Sequence, residues 1–235
     1  MNTQMTNRPM KSLALAALAM VACSRGEPQT AFAKSQTARK AELAVASASP
    51  RSAPGVMLRF VLAPTDQAAR YRVRERLVGR DLPNDAVGET KSISGAIAFD
   101  SSGNVIGQES KFVVDAATFV SDMKRRDGYV RGRLLDVEQY PSIVLMPTSV
   151  RGVILPIPTS GSRAVEMMGD LTVRGVTRPT IWKGTVQFKD GRVAGSAATA
   201  FTFDDFQIEQ PSVPVLLSVA DTIRLEIDFN LIRQR

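Results

Sequence analysis

Histidine is absent from the chain, and cysteine occurs once, at Cys23. The first absence removes a Ser-His-Asp or Cys-His triad, histidine-ligated zinc and imidazole acid–base chemistry together. The second forbids an internal disulfide, so a folded domain here must stand on its hydrophobic core. No G-x-x-x-x-G-K-[ST] or G-x-G-x-x-G loop is present to cradle phosphates. No Cys-x-x-Cys-His is present either, so a haem or other redox centre would have to belong to a partner. Asp204 and Asp205 are neighbours, but successive side chains of an extended segment point apart and make a poor acid–base pair. A conventional enzyme is therefore not expected, nor a cofactor of its own. Long basic runs are missing too. The formal charge is +7, yet Lys and Arg are scattered among Asp and Glu without interleaved aromatics, the pattern of a solvated face rather than of a nucleic-acid site.

No apolar stretch reaches the roughly 20 residues that a membrane-spanning helix needs. A shorter one is present near the start. Arg8 and Lys11 precede an uncharged run, Ser12 to Ala22 (SLALAALAMVA), of the length of a signal-peptide core. It ends in Met20-Val21-Ala22-Cys23, which resembles the bacterial lipoprotein signal, with Met20 where leucine is usual. That resemblance implies removal of residues 1–22, acylation of Cys23 and an exported, membrane-tethered protein at the periplasm or cell surface. Several acyl chains on one cysteine anchor firmly where a single chain would not. The alternative is an ordinary secretory signal cut after Ala31-Phe32-Ala33, which would discard Cys23. Cleavage before Cys23 removes two bases and no acid, taking the charge from +7 to +5. Residues 23–54, rich in Ala, Ser, Gln, Thr and Lys, have no repeating apolar period and are expected to form a disordered tether, with a short helix conceivable at 37–46.

From residue 55 to the end, apolar and polar residues mostly alternate, the signature of half-buried strands. Ile223-Arg-Leu225-Glu-Ile227-Asp-Phe229-Asn-Leu231 is the cleanest case. Ile93 to Phe99, Lys111 to Asp115, Tyr140 to Pro147, Met167 to Arg174, Thr180 to Phe188 and Val193 to Phe203 follow the same rule. Pro141 and Pro147 are expected at strand ends, Gly175 to Pro179 in a turn, and Asp190-Gly191 in a hairpin. Helical stretches are expected within 116–137 and at 204–209. The fold class is all-β: an antiparallel barrel of about eight strands with one or two short helices.

Three segments carry a family resemblance. They are Arg126-Asp127 followed by Leu134, Asp136 and Tyr140-Pro141-Ser-Ile143; Gly169-Asp-Leu171-Thr-Val173-Arg-Gly175-Val-Thr-Arg-Pro179; and Asp205-Phe206-Gln207-Ile208. In order and spacing these resemble the YceI-like, polyisoprenoid-binding family, over about residues 71–235. The resemblance implies a lipocalin-like barrel around an apolar tunnel that holds an isoprenoid, quinone-like or fatty amphiphile. Three departures mark a variant branch. Gln207 stands where the family often has glycine, Phe203 where arginine is common, and the segment from Tyr71 to Gly88 replaces the usual opening hairpin.

The alternation puts Ile97, Phe99, Phe112, Val114, Ile143, Leu145, Leu171, Val173, Trp182, Val186, Phe188, Phe201, Phe203, Ile223, Leu225, Ile227 and Phe229 on inward faces. They line a lipid cavity or, in the blander reading, simply pack a core. Arg126 and Asp127 are read as a head-group contact or as a fold-fixing charge pair and cap. Asp170, Thr172 and Arg174 should face solvent. The rival to lipid binding is a filled barrel, blocked by Phe201, Phe203 and Trp182, serving as an interaction or stress-related envelope protein. The oligomeric state is not legible.

Overall fold

The protein is described here from a computed structural model, which covers Gly55 and residues 57–234. The expected signal, Cys23, the tether and the helix at 37–46 lie outside the described residues.

Eleven antiparallel strands form one closed sheet: β1 (Leu58–Leu62), β2 (Ala68–Leu77), β3 (Asn84–Thr90), β4 (Ile93–Phe99), β5 (Lys111–Asp115), β6 (Val120–Ser121), β7 (Ser142–Arg151), β8 (Ser160–Val173), β9 (Val176–Lys189), β10 (Arg192–Thr202) and β11 (Leu216–Gln234). Three of the walls are broken strands. β1 and β2 lie end to end along β11, with Leu62 opposite Leu231 and Ala68 opposite Asp228. β4 continues β3 across Lys91 and Ser92, and β6 continues β5 across residues 116–119. Counting each broken strand once gives an eight-stranded barrel that closes where β1 pairs with both β4 and β11.

The local sequence explains the elements. Asp190-Gly191 and Arg174-Gly175 each place two residues at positive φ between paired strands, the geometry of the tight hairpin whose twist matches a sheet. The first was anticipated and the second is shorter than expected. Only Arg174 and Gly175 turn, while Pro179 sits inside β9, opposite Asp170. A proline is tolerated there because the pairing of β9 with β10 ends at Lys183 and there is no ladder on that side to lose. Pro147 likewise lies within β7 and does not end it. The register of β7 against β8 slips between Pro147 and Ser149, and that bulge absorbs the missing N–H. The segment from Tyr71 to Gly88 proves to be a hairpin itself, β2 and β3.

Helix is scarcer than the sequence suggested. Within 116–137 there is one short α-helix, α1 (Lys124–Tyr129), prolonged by a wider turn over Val130–Leu134. At Asp204–Phe206 a single tight turn ends in Gln207 with φ 54. The core divides in two along the barrel. One cluster gathers Leu58, Phe60, Ile97, Phe99, Val186, Phe188, Val193 and Leu231. The other gathers Leu145, Leu171, Val173, Trp182, Phe203, Phe206, Ile208 and Ile223.

Candidate functional site

Two apolar cavities lie along the barrel, the smaller walled by most of the first cluster together with Leu145 and Trp182 of the second. The smaller, about 110 Å³, lies within the end closed by β1, β4 and β5. Of the expected lining residues, Ile97, Phe99, Phe112, Leu145, Trp182, Val186, Phe188, Ile227 and Phe229 face it. The larger, about 450 Å³, lies between β2, the upper part of β11, α1 and the loop over 209–215. Ile143, Val173, Phe201, Phe203, Ile223 and Leu225 face this one. Val114 and Leu171 line neither. Phe201 and Phe203 therefore wall the larger cavity and leave it unfilled. Phe201 is held in place by an edge-to-face contact with Phe206, ring centres 4.5 Å apart.

The larger cavity reaches the surface. Met123 and Val215 line it, yet are 37% and 50% exposed. Val78 and Leu217, beside Val215, are also exposed, and the Val78 N–H donates to the Val215 carbonyl at 3.0 Å. Inside, the wall is almost wholly apolar, as an alkyl-binding site needs. Two bulges shape it. Val219 and Ile223 of β11 face Glu75 and Val73 of β2, so β11 carries two extra residues in that interval. Such insertions bend a strand away from its partner and widen the lumen there.

Most of this lining was not anticipated. Tyr71, Val73, Glu75 and Leu77 come from β2, where Tyr71-Arg-Val73-Arg-Glu75-Arg-Leu77 points one set in and three arginines out. The alternation was there to be read. Tyr71 leans over Gly88, where an added Cβ would stand only 2.1 Å from a ring carbon, and packs on Phe119 at 5.6 Å. Gly88 is thus required for the ring to lie flat across the sheet. Burial pushes the Tyr71 phenol up to about 12, with Arg126 opposing and Asp127 reinforcing the shift.

Glu75 is the one acid in that wall, with its side chain 8% exposed. It accepts from Arg126 at 2.5 Å and from Asn84 at 3.0 Å, and Arg126 also pairs with Asp122 one helical turn back. A charge taken from water this far must be paired, and Glu75 is. Asp127 takes the structural role considered for it. Its carboxylate accepts from the backbone N–H of Ser121 at 2.8 Å and from the Ser121 hydroxyl at 2.6 Å, tying α1 to β6. Arg126 belongs to both readings, since it pairs with Glu75 and also lines the cavity. Asp205 accepts from the Thr202 N–H at 2.7 Å and from its hydroxyl at 3.0 Å. Those bonds hold its carboxyl below the ordinary range and close the turn that buries Phe206 completely. Asp170 is exposed, and Thr172 and Arg174 are half-buried on the outer side.

Among the described residues no group of three or more acidic, cysteine or histidine side chains is placed to hold a metal ion, and no helix is long and apolar enough to cross a membrane.

Comparison with known proteins agrees with the geometry. The family model of the YceI-like domain matches residues 60–231. A UPF0312 protein of Pseudomonas putida strain F1 is 30% identical over 157 residues, spanning 63% of this chain and 74% of that protein. Among solved structures, a polyisoprenoid binding domain from Saccharophagus degradans, implicated in plant cell wall breakdown, superposes with a TM-score of 0.61 at 13% identity. It covers 75% of this chain and 99% of its own. BcnA of Burkholderia cenocepacia superposes with 0.53 at 15% identity, covering 72% and 98%. At those identities the two structures are similar to this one in fold.

Proposed function

The chain belongs to the YceI-like family, and from that membership and the shape of its larger cavity we propose that it binds an isoprenoid lipid or another single-tailed amphiphile without chemical change. The observation that carries this reading is the apolar cavity of about 450 Å³ that opens between Met123 and Val215. Burial alone supplies the affinity, since each CH₂ taken from water is worth about 0.8 kcal/mol. The apolar depth takes the tail. Arg125, Arg126 and Glu75 supply polar groups for the head. A similar solved domain is described as polyisoprenoid binding, which favours an isoprenoid tail over other apolar chains.

We further propose that the protein works at the cell envelope, exported by its N-terminal signal and held there through acylated Cys23. The apolar run ending at the chain's lone cysteine supports this. A tethered carrier would exchange cargo with the bilayer beside it.

Mass spectrometry of the chain, produced in bacteria and extracted from membranes in mild detergent, tests both parts. The expected result is a chain beginning at residue 23 with an added diacylglyceryl mass, carrying one non-covalent lipid that organic extraction releases. Loss of the acyl mass in Cys23→Ser would follow. A chain cut elsewhere with no acyl group contradicts the anchor, and a persistently lipid-free mass contradicts the carrier.

A further inference from the structure

The two cavities share no lining residue, although they lie in the same barrel. Successive inward residues show where they part. On β7, Ile143 lines the larger cavity and Leu145, the next inward residue, lines the smaller. On β11 the same step falls between Leu225 and Ile227. On β8 it passes through Leu171, which is 2% exposed, lies between Val173 above and Met167 below, and lines neither cavity. On β10 it passes through Thr199, which is buried between Phe201 above and Ala197 below. These positions mark a floor of side chains across the lumen.

The floor is braced from beneath. Trp182 fills space just under it, and its indole N–H donates to the Thr180 hydroxyl at 3.0 Å. That hydroxyl donates in turn to the Gly169 carbonyl at 3.0 Å. A bulky ring whose one N–H is tied to a hydroxyl that is itself anchored on a carbonyl does not swing aside cheaply, because moving it strands a buried N–H.

We propose that this floor limits tail length, so that the cargo of the larger cavity is a short isoprenoid amphiphile of about three isoprene units. This rests on the binding reading above. The depth follows from β2, whose inward residues from Leu77 at the mouth to Tyr71 near the floor span six residue steps. At about 3.3 Å per residue and a tilt of about 40° that is roughly 15 Å along the barrel. Carbon–carbon bonds of about 1.5 Å laid in zigzag advance about 1.3 Å each, giving a straight tail of about 12 main-chain carbons, or three isoprene units. A longer chain must fold back on itself or displace Leu171, Thr199 and Trp182.

The test is a binding series with the full delipidated chain: farnesol with three units, geranylgeraniol with four and solanesol with nine, each competed against a fluorescent fatty acid. The expected result is tight binding of farnesol and at least 10-fold weaker binding of solanesol. Leu171→Ala should narrow that gap by joining the cavities while leaving farnesol affinity unchanged. Thr199→Ala is the milder variant, expected to act in the same direction should Leu171→Ala fold poorly. Equal or tighter binding of solanesol by the unaltered chain overturns the length limit while leaving the carrier intact. Failure of all three alcohols and of the probe to bind removes the carrier reading, and the limit with it.

Discussion

Tyr71, Glu75 and Arg126 set the chemistry of the cavity wall, and each answers to a different cost. Glu75 is tolerable inside an apolar site only because Arg126 and Asn84 hydrogen-bond its carboxylate. Tyr71 has no such partner among the described residues, and the cost appears instead as a phenol that resists ionisation up to about 12. Its folded-state value lies above the ordinary 10.0, so stability from the protonated phenol is fully present below pH 10 and is lost as the pH rises through about 12. By linkage the loss amounts to about 3 kcal/mol. An alkaline titration followed by tyrosinate absorbance should show one of the three tyrosines ionising near pH 12, and Tyr71→Phe should delete that step. A step that ends by pH 10.5, with the protein still folded, would contradict the burial of Tyr71. At this scale the sequence was legible where period 2 ran clean, as in Ile223 to Leu231. Glu75 was overlooked because an acid on an inward face breaks the hydrophobic pattern, and its partner Arg126 lies 51 residues away.

At the scale of elements, the turn at Asp204–Phe206 shows how a family pattern converts into backbone geometry. Gln207 occupies the left-handed region at φ 54, where a residue with a Cβ is strained and glycine is not. That is the physical reason for the glycine often found there in the family, and Gln207 departs from it at a cost. Gln207→Gly should raise the unfolding free energy by about 0.5–1 kcal/mol in a denaturant melt, since relief of strain of about 1–2 kcal/mol is partly offset by the freer unfolded chain. A destabilised variant would mean that the Gln207 side chain makes contacts that outweigh the strain. The strands themselves were legible in their middles and not at their ends. β7 and β9 outrun expectation because proline was read as a terminator, whereas Pro147 sits at a bulge and Pro179 lies past the end of the β9–β10 ladder. The helix at α1 is shorter than charge clustering suggested, because the run from Ala116 to Ser121 is spent on a tight turn and on β6.

On the scale of the whole molecule, ring closure by β1, β4 and β11 turns a meander into a container, and three broken strands open one end of it toward α1. Barrel class and closure follow from alternation and turn chemistry, and so were legible. The division of the lumen was not, because it depends on which inward residues of neighbouring strands share a level, and register across strands is not written in any single strand. On the proposed reading an amphiphile occupies the larger cavity and not the smaller. Displacement of a fluorescent fatty acid by farnesol tests it most directly in two cavity-filling variants, Ile143→Trp in the larger cavity and Val186→Phe in the smaller. Loss of at least 10-fold in affinity in the first, with the second unchanged and both folded by circular dichroism, is the predicted result. Unchanged affinity in Ile143→Trp would contradict the account.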